Sequence, residues 1–380
     1  MDPVVDLLRE LVAIDSVNPS LVEGGAGEAA IAQCIGQWMR RAGFDVRVDE
    51  IAPGRVNVVA IAEGAGDGPT RMLCGHTDTV GVDGMAAPFA PDIRDGRLYG
   101  RGAQDMKGGV AAMIGAVRRI VESGGLAQGR VIVAAVVDEE HASIGAEALV
   151  TKWRADAAVV TEPTGLDVAV AHKGFQWIAL ETHGRAAHGS RPRDGRDAIL
   201  RMGRVLARLE SLDRRLQVGP AHPLLGTGSL HASLIEGGHE LSSYPARAAL
   251  QYERRTLPGE PSDIAGVEAD ALLAELRRED PEFEAEARLV FGRDAYEIDP
   301  DSQLPALLTD AARAAGCGAS IAGMTFWTDA AILGAAGIPS VLFGPGGAGL
   351  HSIEEYVIVE DVLRCRDALA NLARSWIGAS

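Results

Sequence analysis

Several short stretches of this chain join histidines and carboxylates to glycines in a way that could hold cations and activate water. The first is Gly75-His76-Thr77-Asp78, directly after the apolar run Arg71–Cys74. Residues two apart on an extended backbone face the same side, so Asp78 could hold the far ring nitrogen of His76 and fix the tautomer of a metal-bound imidazole. Taken alone, His76 could equally be a solvated turn histidine. The second is Tyr99-Gly100-Arg101-Gly102-Ala103-Gln104-Asp105-Met106-Lys107-Gly108-Gly109, ahead of an Ala-rich segment. Its glycines permit tight turns and place Asp105 at a helix entrance, where carboxylates are favoured. An ordinary helix N-terminus would read the same way. Third, the aliphatic run Val131–Val137 ends in Asp138-Glu139-Glu140-His141. Consecutive acids at a strand end face opposite ways, so one could bind a metal while its neighbour faces the substrate as a base. A plain acidic strand end is the alternative. Ala157–Val160 followed by Thr161-Glu162-Pro163-Thr164 repeats the pattern. Finally, Ser340–Phe343 runs into the glycine-rich Gly344–Gly349, a loop that lets His351 return to the same rim.

These candidates agree in placement. In open α/β sheets ligands lie beyond the carboxyl ends of the strands. His76, Glu139-Glu140, Glu162 and His351 all follow predicted strands, and Asp105 could join them. Such histidines and carboxylates suit a pair of divalent ions, with zinc a natural candidate and cobalt or manganese also compatible. One carboxylate must bridge to hold the ions about 3.5–4 Å apart. Serine and cysteine nucleophiles lack support: Ser143 and Ser190 sit in no G-x-S-x-G elbow, and no cysteine occupies a plausible site. The dinucleotide fingerprint is missing too, since Pro69 and a strand follow Gly64, Gly66 and Gly68.

The elements that must position these groups alternate. Helices are predicted over Glu28–Ala42, Gly108–Ser123 and Ser143–Arg154, between strands Asp45–Asp49, Asn57–Ala62, Arg71–Cys74, Arg130–Val137 and Ala157–Val160. That order predicts an α/β fold with a mixed sheet covered on both faces. Near Phe175 the style changes to strand Phe175–Thr182, helix Asp197–Leu212, strands Gly228–Glu236 and Ala246–Glu253, helix Ser262–Glu279 and strand Glu284–Phe291. This β-α-β-β-α-β order is a split βαβ module. Helix Gln303–Ala315, strand Ser340–Phe343 and a final helix near Val362–Trp376 return to the first style. The reading is a discontinuous two-domain protein: a catalytic α/β domain over 1–173 and 293–380, and an inserted α+β lid or dimerisation domain over 174–292.

Composition narrows the function. The 380 residues are 47% hydrophobic and 23% charged, enough for two domains with a substantial core. A net charge of −17 argues against nucleic-acid or anionic-membrane partners. Cys34, Cys74, Cys317 and Cys365 are widely spaced, so a disulfide framework or thiolate zinc site is not expected. Met1-Asp2-Pro3 does not open a signal peptide, and no apolar run approaches the roughly 20 residues of a membrane span. A cytoplasmic address is the expectation.

In this order, GHTDTV, GRGAQDMKGG, DEEHASIGA, TEPT and GLHSIEEYV resemble the acetylornithine deacetylase, succinyl-diaminopimelate desuccinylase and glutamate carboxypeptidase family. The resemblance spans nearly the whole chain and implies a catalytic α/β domain with an inserted dimerisation domain. It implies His76, Asp105 and Glu162 as ligands of one metal, and Asp105, Glu140 and His351 as ligands of the second, with Asp105 bridging. It further implies Glu139 as general base and Asp78 as the residue supporting His76. Gly81 and Ala142 depart from the family pattern without touching a ligand. In the inserted domain, Ala187-His188-Gly189-Ser190-Arg191-Pro192 resembles the motif whose histidine reaches the partner subunit's site and stabilises an oxyanion; nearby His183 has the wrong following residues. Arg255 resembles the arginine that holds a substrate carboxylate, with Arg254 its competitor and Arg293 a second candidate. The implied reaction is hydrolysis of an N-acyl amino acid, a small substrate with a free carboxylate, by a homodimer. A metallocarboxypeptidase or dipeptidase is the alternative, and a non-catalytic metal-stabilised binding protein a distant one. Phe175, Trp177, Tyr244 and Trp327 could line the pocket or pack in a core.

Overall fold

The computed structural model describes residues 2–375. Trp376, the expected end of the last helix, lies outside the described residues. The chain divides into two compact units, the second formed by Ala171–Glu297 and Gly323–Trp327 and the first by the remainder. The insertion expected over 174–292 falls within this second unit. Gly323–Trp327 joins the second unit as a separate piece, and within that unit Lys173 N–H donates to the Met324 carbonyl.

The first unit is built on a mixed sheet whose strands run in the order Asp45–Ala52, Arg55–Glu63, Arg130–Val136, Thr70–His76, Ala157–Val160, Ser340–Leu342 and Val168–His172. The four from Arg130–Val136 to Ser340–Leu342 are mutually parallel, so their carboxyl ends share one rim. Their residues are buried nearly without interruption, because helices cover both faces. On one side Leu73, Val131, Val133 and Val159 meet Pro3–Val12, Gly108–Glu122 and Val359–Ser375 in a single apolar core. A short antiparallel sheet not anticipated from sequence, ordered Gly347–Ala348, Tyr356–Ile358, Arg97–Tyr99 and Asp92–Arg94, completes the unit.

The second unit is the predicted β-α-β-β-α-β module. Its antiparallel strands run Ser229–Gly237, Arg247–Thr256, Gly174–His183 and Glu284–Arg293, with helices Ala198–Gln217 and Ile264–Glu279. Alternate residues such as Ile178, Leu180 and Leu250 enter an aliphatic core with those helices. No helix among the described residues is long and apolar enough to cross a membrane.

Candidate metal centre

His76 is the last residue of its strand and is almost wholly buried. Its Nδ1–H donates to the main-chain carbonyl of Asp78 at 3.0 Å, which turns Nε2 toward a cluster of carboxylates. Nε2 lies 3.0 Å from Asp105 Oδ1, 3.9 Å from Glu139 Oε2 and 4.0 Å from Glu162 Oε1. The Asp78 carboxylate, expected to hold the ring, stands farther off at 3.6 Å. Beyond the strand end the backbone turns, bringing the carbonyl back first. The carboxylate instead accepts the N–H groups of Glu139 and Glu140, each at 3.2 Å, and Asn18 Nδ2 at 2.8 Å. Asp78 therefore fixes the turn that carries the next two acids.

That turn departs from the alternation expected of a strand end. The strand stops at Val136, and Asp138 adopts φ 71°. Consequently Glu139 and Glu140 both enter the cluster. Asp138 is the one that faces away, accepting Arg55 Nη2 at 2.8 Å and Asn18 Nδ2 at 3.1 Å. Arg55 is buried and also pairs with Glu28 at 2.6 Å, so this support is a closed ionic network.

Asp105 and His351 come from the short sheet. The strand Arg97–Tyr99 leads into Gly100–Lys107, and His351 lies between Gly347–Ala348 and Tyr356–Ile358. Glu355 ties the two together: its carboxylate accepts Arg101 Nη1 at 2.6 Å and the backbone N–H groups of Gly102, Gln104 and Asp105 at 3.0, 2.9 and 3.1 Å. Lys107 anchors the far end by donating to the Ile14 carbonyl at 2.8 Å, and burial brings its ammonium down to about 7. Helix Gly108–Glu122 approaches Thr161 so closely that a Cβ at Gly109 would fall 1.9 Å from the Thr161 carbonyl. Only glycine lets the Asp105 loop and Glu162 share one rim.

Asp105 stands between the histidines, Oδ1 on His76 and Oδ2 3.3 Å from His351 Nε2, the placement a bridging carboxylate needs. His351 Nε2 is also 3.1 Å from Glu140 Oε2. Donor atoms of His76, Glu139 and Glu162, and of His76, Asp105 and Glu140, lie within 4.8 Å of one another. Electrostatics mark the cluster as short of positive charge. Burial, then the neighbouring carboxylates, pushes Glu139, Glu140 and Glu162 up despite the pull of His76. Burial would lower His76, but Asp105 and Asp78 raise it well above the usual imidazole range. Asp105 and Glu140 push His351 up to about 10. Burial also works against the charge on Asp105, yet the two histidines hold it below the ordinary carboxylate range. Among the described residues, Glu140 Oε1 and Glu162 Oε1 are buried without a hydrogen-bond partner. Orphaned carboxylate oxygens beside two imidazoles are the donor set that divalent cations satisfy, so the residues fit a two-ion centre.

His188 and Arg255 belong to the second unit. His188 is exposed, with Nδ1 2.8 Å from Ser190 Oγ. The competing arginines separate by strand alternation: Arg254 is buried on Glu260 and Glu268, at 2.6 and 3.2 Å, whereas Arg255 lies on the opposite face with Nε on Glu253 at 2.6 Å. His183 pairs loosely with Glu181 and Glu286 at 3.5 and 3.8 Å. Tyr244 packs over Gly195, and Trp327 Nε1 donates to the Asp294 carbonyl at 3.1 Å. The supporting residues Glu355, Asn18 and Arg55 were not singled out from sequence. Glu355 lay inside a recognised motif, but nothing local distinguished it from neighbouring Glu354.

The family model described as peptidase family M20/M25/M40 matches residues 72–375. An acetylornithine deacetylase of Myxococcus xanthus is 31% identical over 386 residues, covering 98% of this chain and 97% of the relative. Among solved structures, a tripeptidase from Staphylococcus aureus superposes with a TM-score of 0.81 at 22% identity, covering 98% of this chain and 97% of that one. A Bacillus subtilis protein described as a dinuclear metal-binding peptidase gives 0.76 at 16% identity, covering 99% and 98%.

Proposed function

The chain belongs to peptidase family M20/M25/M40, and from that premise we propose that it is a metal-dependent amidohydrolase that cleaves the amide bond of an N-acyl amino acid. The observation carrying this reading is the placement of Asp105 between His76 and His351, with Glu139, Glu140 and Glu162 converging beside it. His76, Asp105 and Glu162 would hold one cation, and Asp105, Glu140 and His351 the other. Once bound, divalent ions of this kind, zinc first among them, lower the pKa of water to about 7 and polarise a carbonyl oxygen. Glu139 takes a proton from the attacking water on its carboxylate and returns it to the leaving amine nitrogen. Asp78 keeps Glu139 in position through the backbone of the 139–140 turn. The family resemblance supports His188, reaching the site of a second copy, as donor to the developing oxyanion, and Arg255, with its planar fork, as the residue for the substrate carboxylate. We propose a homodimer formed through the second unit.

A hydrolysis screen of chelator-stripped and zinc-reloaded protein tests the reading. N-acetyl and N-succinyl amino acids are compared with dipeptides while free amine is followed. Zinc-restored turnover of acyl amino acids is expected. Preference for dipeptides would move the assignment to a peptidase. No turnover with zinc, cobalt or manganese, in protein that binds two ions, would overturn it.

A further inference from the structure

Among the described residues, three groups of histidine and carboxylate side chains bring one donor atom each to within 4.8 Å of one another. Two of them make up the centre in the first unit. The third, Glu181, His183 and Glu286, shares no residue with that centre and lies wholly within the second unit.

The sheet brings the three together by register. Glu181 and His183 are two apart at the end of strand Gly174–His183, so both side chains leave the same face. Thr182 between them points the other way, its hydroxyl donating to the Ala198 carbonyl in the helix Ala198–Gln217. Glu286, on strand Glu284–Arg293, stands directly opposite Glu181. All three therefore project from the face that the unit's two helices and aliphatic core leave open.

Carboxylates on an open sheet face are ordinarily just solvated. Here an imidazole stands between two of them, with Nδ1 3.5 Å from Glu181 Oε1 and Nε2 3.8 Å from Glu286 Oε1. Both spans exceed a direct N–H···O hydrogen bond of about 2.7–3.2 Å. They are close to what a shared cation requires, because tetrahedral zinc with bonds of about 2.0–2.2 Å holds its ligands about 3.3–3.6 Å apart. The matching spans in the first unit, from His76 Nε2 to Glu139 and Glu162, are 3.9 and 4.0 Å. Glu181 is already oriented: Arg247 Nε binds its Oε2 at 2.6 Å and leaves Oε1 toward the ring. Arg247 also pairs with Glu236 at 2.8 Å, which divides its charge. The Glu286 side chain is 76% exposed, free to turn and close the remaining gap. On this face Glu181, Glu236, Glu284 and Glu286 outnumber Arg247 and Arg288, and the surplus of negative charge draws a cation. Glu181 and Glu286 also line a depression of about 380 Å³, which admits the water that completes a coordination shell.

We propose that Glu181, His183 and Glu286 form a further divalent-cation site, suited to zinc and similar ions that accept one imidazole and two carboxylates. One ring nitrogen of His183 and one oxygen of each glutamate bind the ion, and water fills the open position. The ion ties strand Gly174–His183 to strand Glu284–Arg293. The site stands whatever reaction the first unit catalyses.

The test is equilibrium dialysis of the full chain against buffered free zinc, with zinc per chain read by elemental analysis. Wild type is compared with His183→Gln, Glu286→Gln and Glu284→Gln. At a free zinc concentration that saturates the wild type, His183→Gln and Glu286→Gln should each bind one ion fewer. Glu284→Gln, opposite His183 but outside the trio, should bind as many as the wild type. Reading the difference between chains keeps the result independent of occupancy in the first unit. Equal counts in wild type, His183→Gln and Glu286→Gln would overturn the proposal. An equal loss in Glu284→Gln would reduce the group to a diffuse acidic surface and overturn it as well. Should His183→Gln fail to fold, the exposed Glu286→Gln decides alone, loss of one ion supporting the site and an unchanged count overturning it.

Discussion

Glu139 is surrounded by Glu140, Glu162 and Asp329, and burial together with these charges raises its affinity for a proton. Cations bound at the neighbouring donors would offset that repulsion, leaving a carboxylate able to take a proton and give it back. Glu139→Gln keeps the size of the side chain and removes this capacity. Turnover should fall by about 10²–10⁴-fold, with two ions per chain still present by elemental analysis; an unchanged rate would remove Glu139 from the mechanism. A second residue-scale effect is independent of the metals. His172 in the second unit is fully buried, donates from Nδ1 to the Lys173 carbonyl at 3.0 Å, and is pushed by burial down to about 4. The unfolded chain binds this proton near pH 6.5, so below that pH the unfolded state takes up more protons than the folded one. Stability from this group is therefore complete above about pH 6.5 and lost as pH falls toward 4, by about 2 kcal/mol at pH 5. Urea melts at pH 7 and pH 5 should show this loss in the wild type and a smaller one in His172→Gln; equal losses would place the titration elsewhere.

Among the elements, the short sheet does what the central sheet cannot: it brings Asp105 and His351 to the rim from distant parts of the chain. Glu355 is its clamp, and Glu355→Gln keeps the shape but loses the charge that holds Arg101 and three backbone N–H groups. Metal affinity, read by competition with a chelator, should weaken about 10–100-fold, as for loss of a residue that orients a ligand. Unchanged affinity would show that the backbone alone holds Asp105. This sheet also marks where sequence reading ran out. Val131–Val137 and Ala157–Val160 were legible because buried parallel strands are continuous aliphatic runs. Asp92–Arg94 and Arg97–Tyr99 are three residues each, and Gly347–Ala348 only two, too short to carry a period. The joint turning of Glu139 and Glu140 was equally hidden, since it follows from the positive φ at Asp138. The ligand types and their order were nonetheless readable, because each donor ends or follows an element with a strong pattern of its own.

At the scale of the whole molecule, the second unit ends in an edge strand, Ser229–Gly237, that leaves Leu234 63% and Ile235 60% exposed. A strand edge that is both unpaired and apolar is a ready surface for a second copy. Leu234→Glu combined with Ile235→Lys should shift the proposed dimer to monomer in sedimentation at micromolar concentration, while an unaltered mass would put the interface elsewhere. The clamp at Glu355 has a consequence in time as well as in space. Its partner Arg101 lies 254 residues earlier in the chain, so the contact waits for both segments to be made. During synthesis the strands that carry His76, Glu139 and Glu162 leave the ribosome long before Ser340–Leu342, His351 and Glu355 do. A chain still being made, or broken off before Gly349, would lack His351 and the Glu355 clamp. The order of the sequence thus keeps the site incomplete until the stretch that carries His351 and Glu355 has been made.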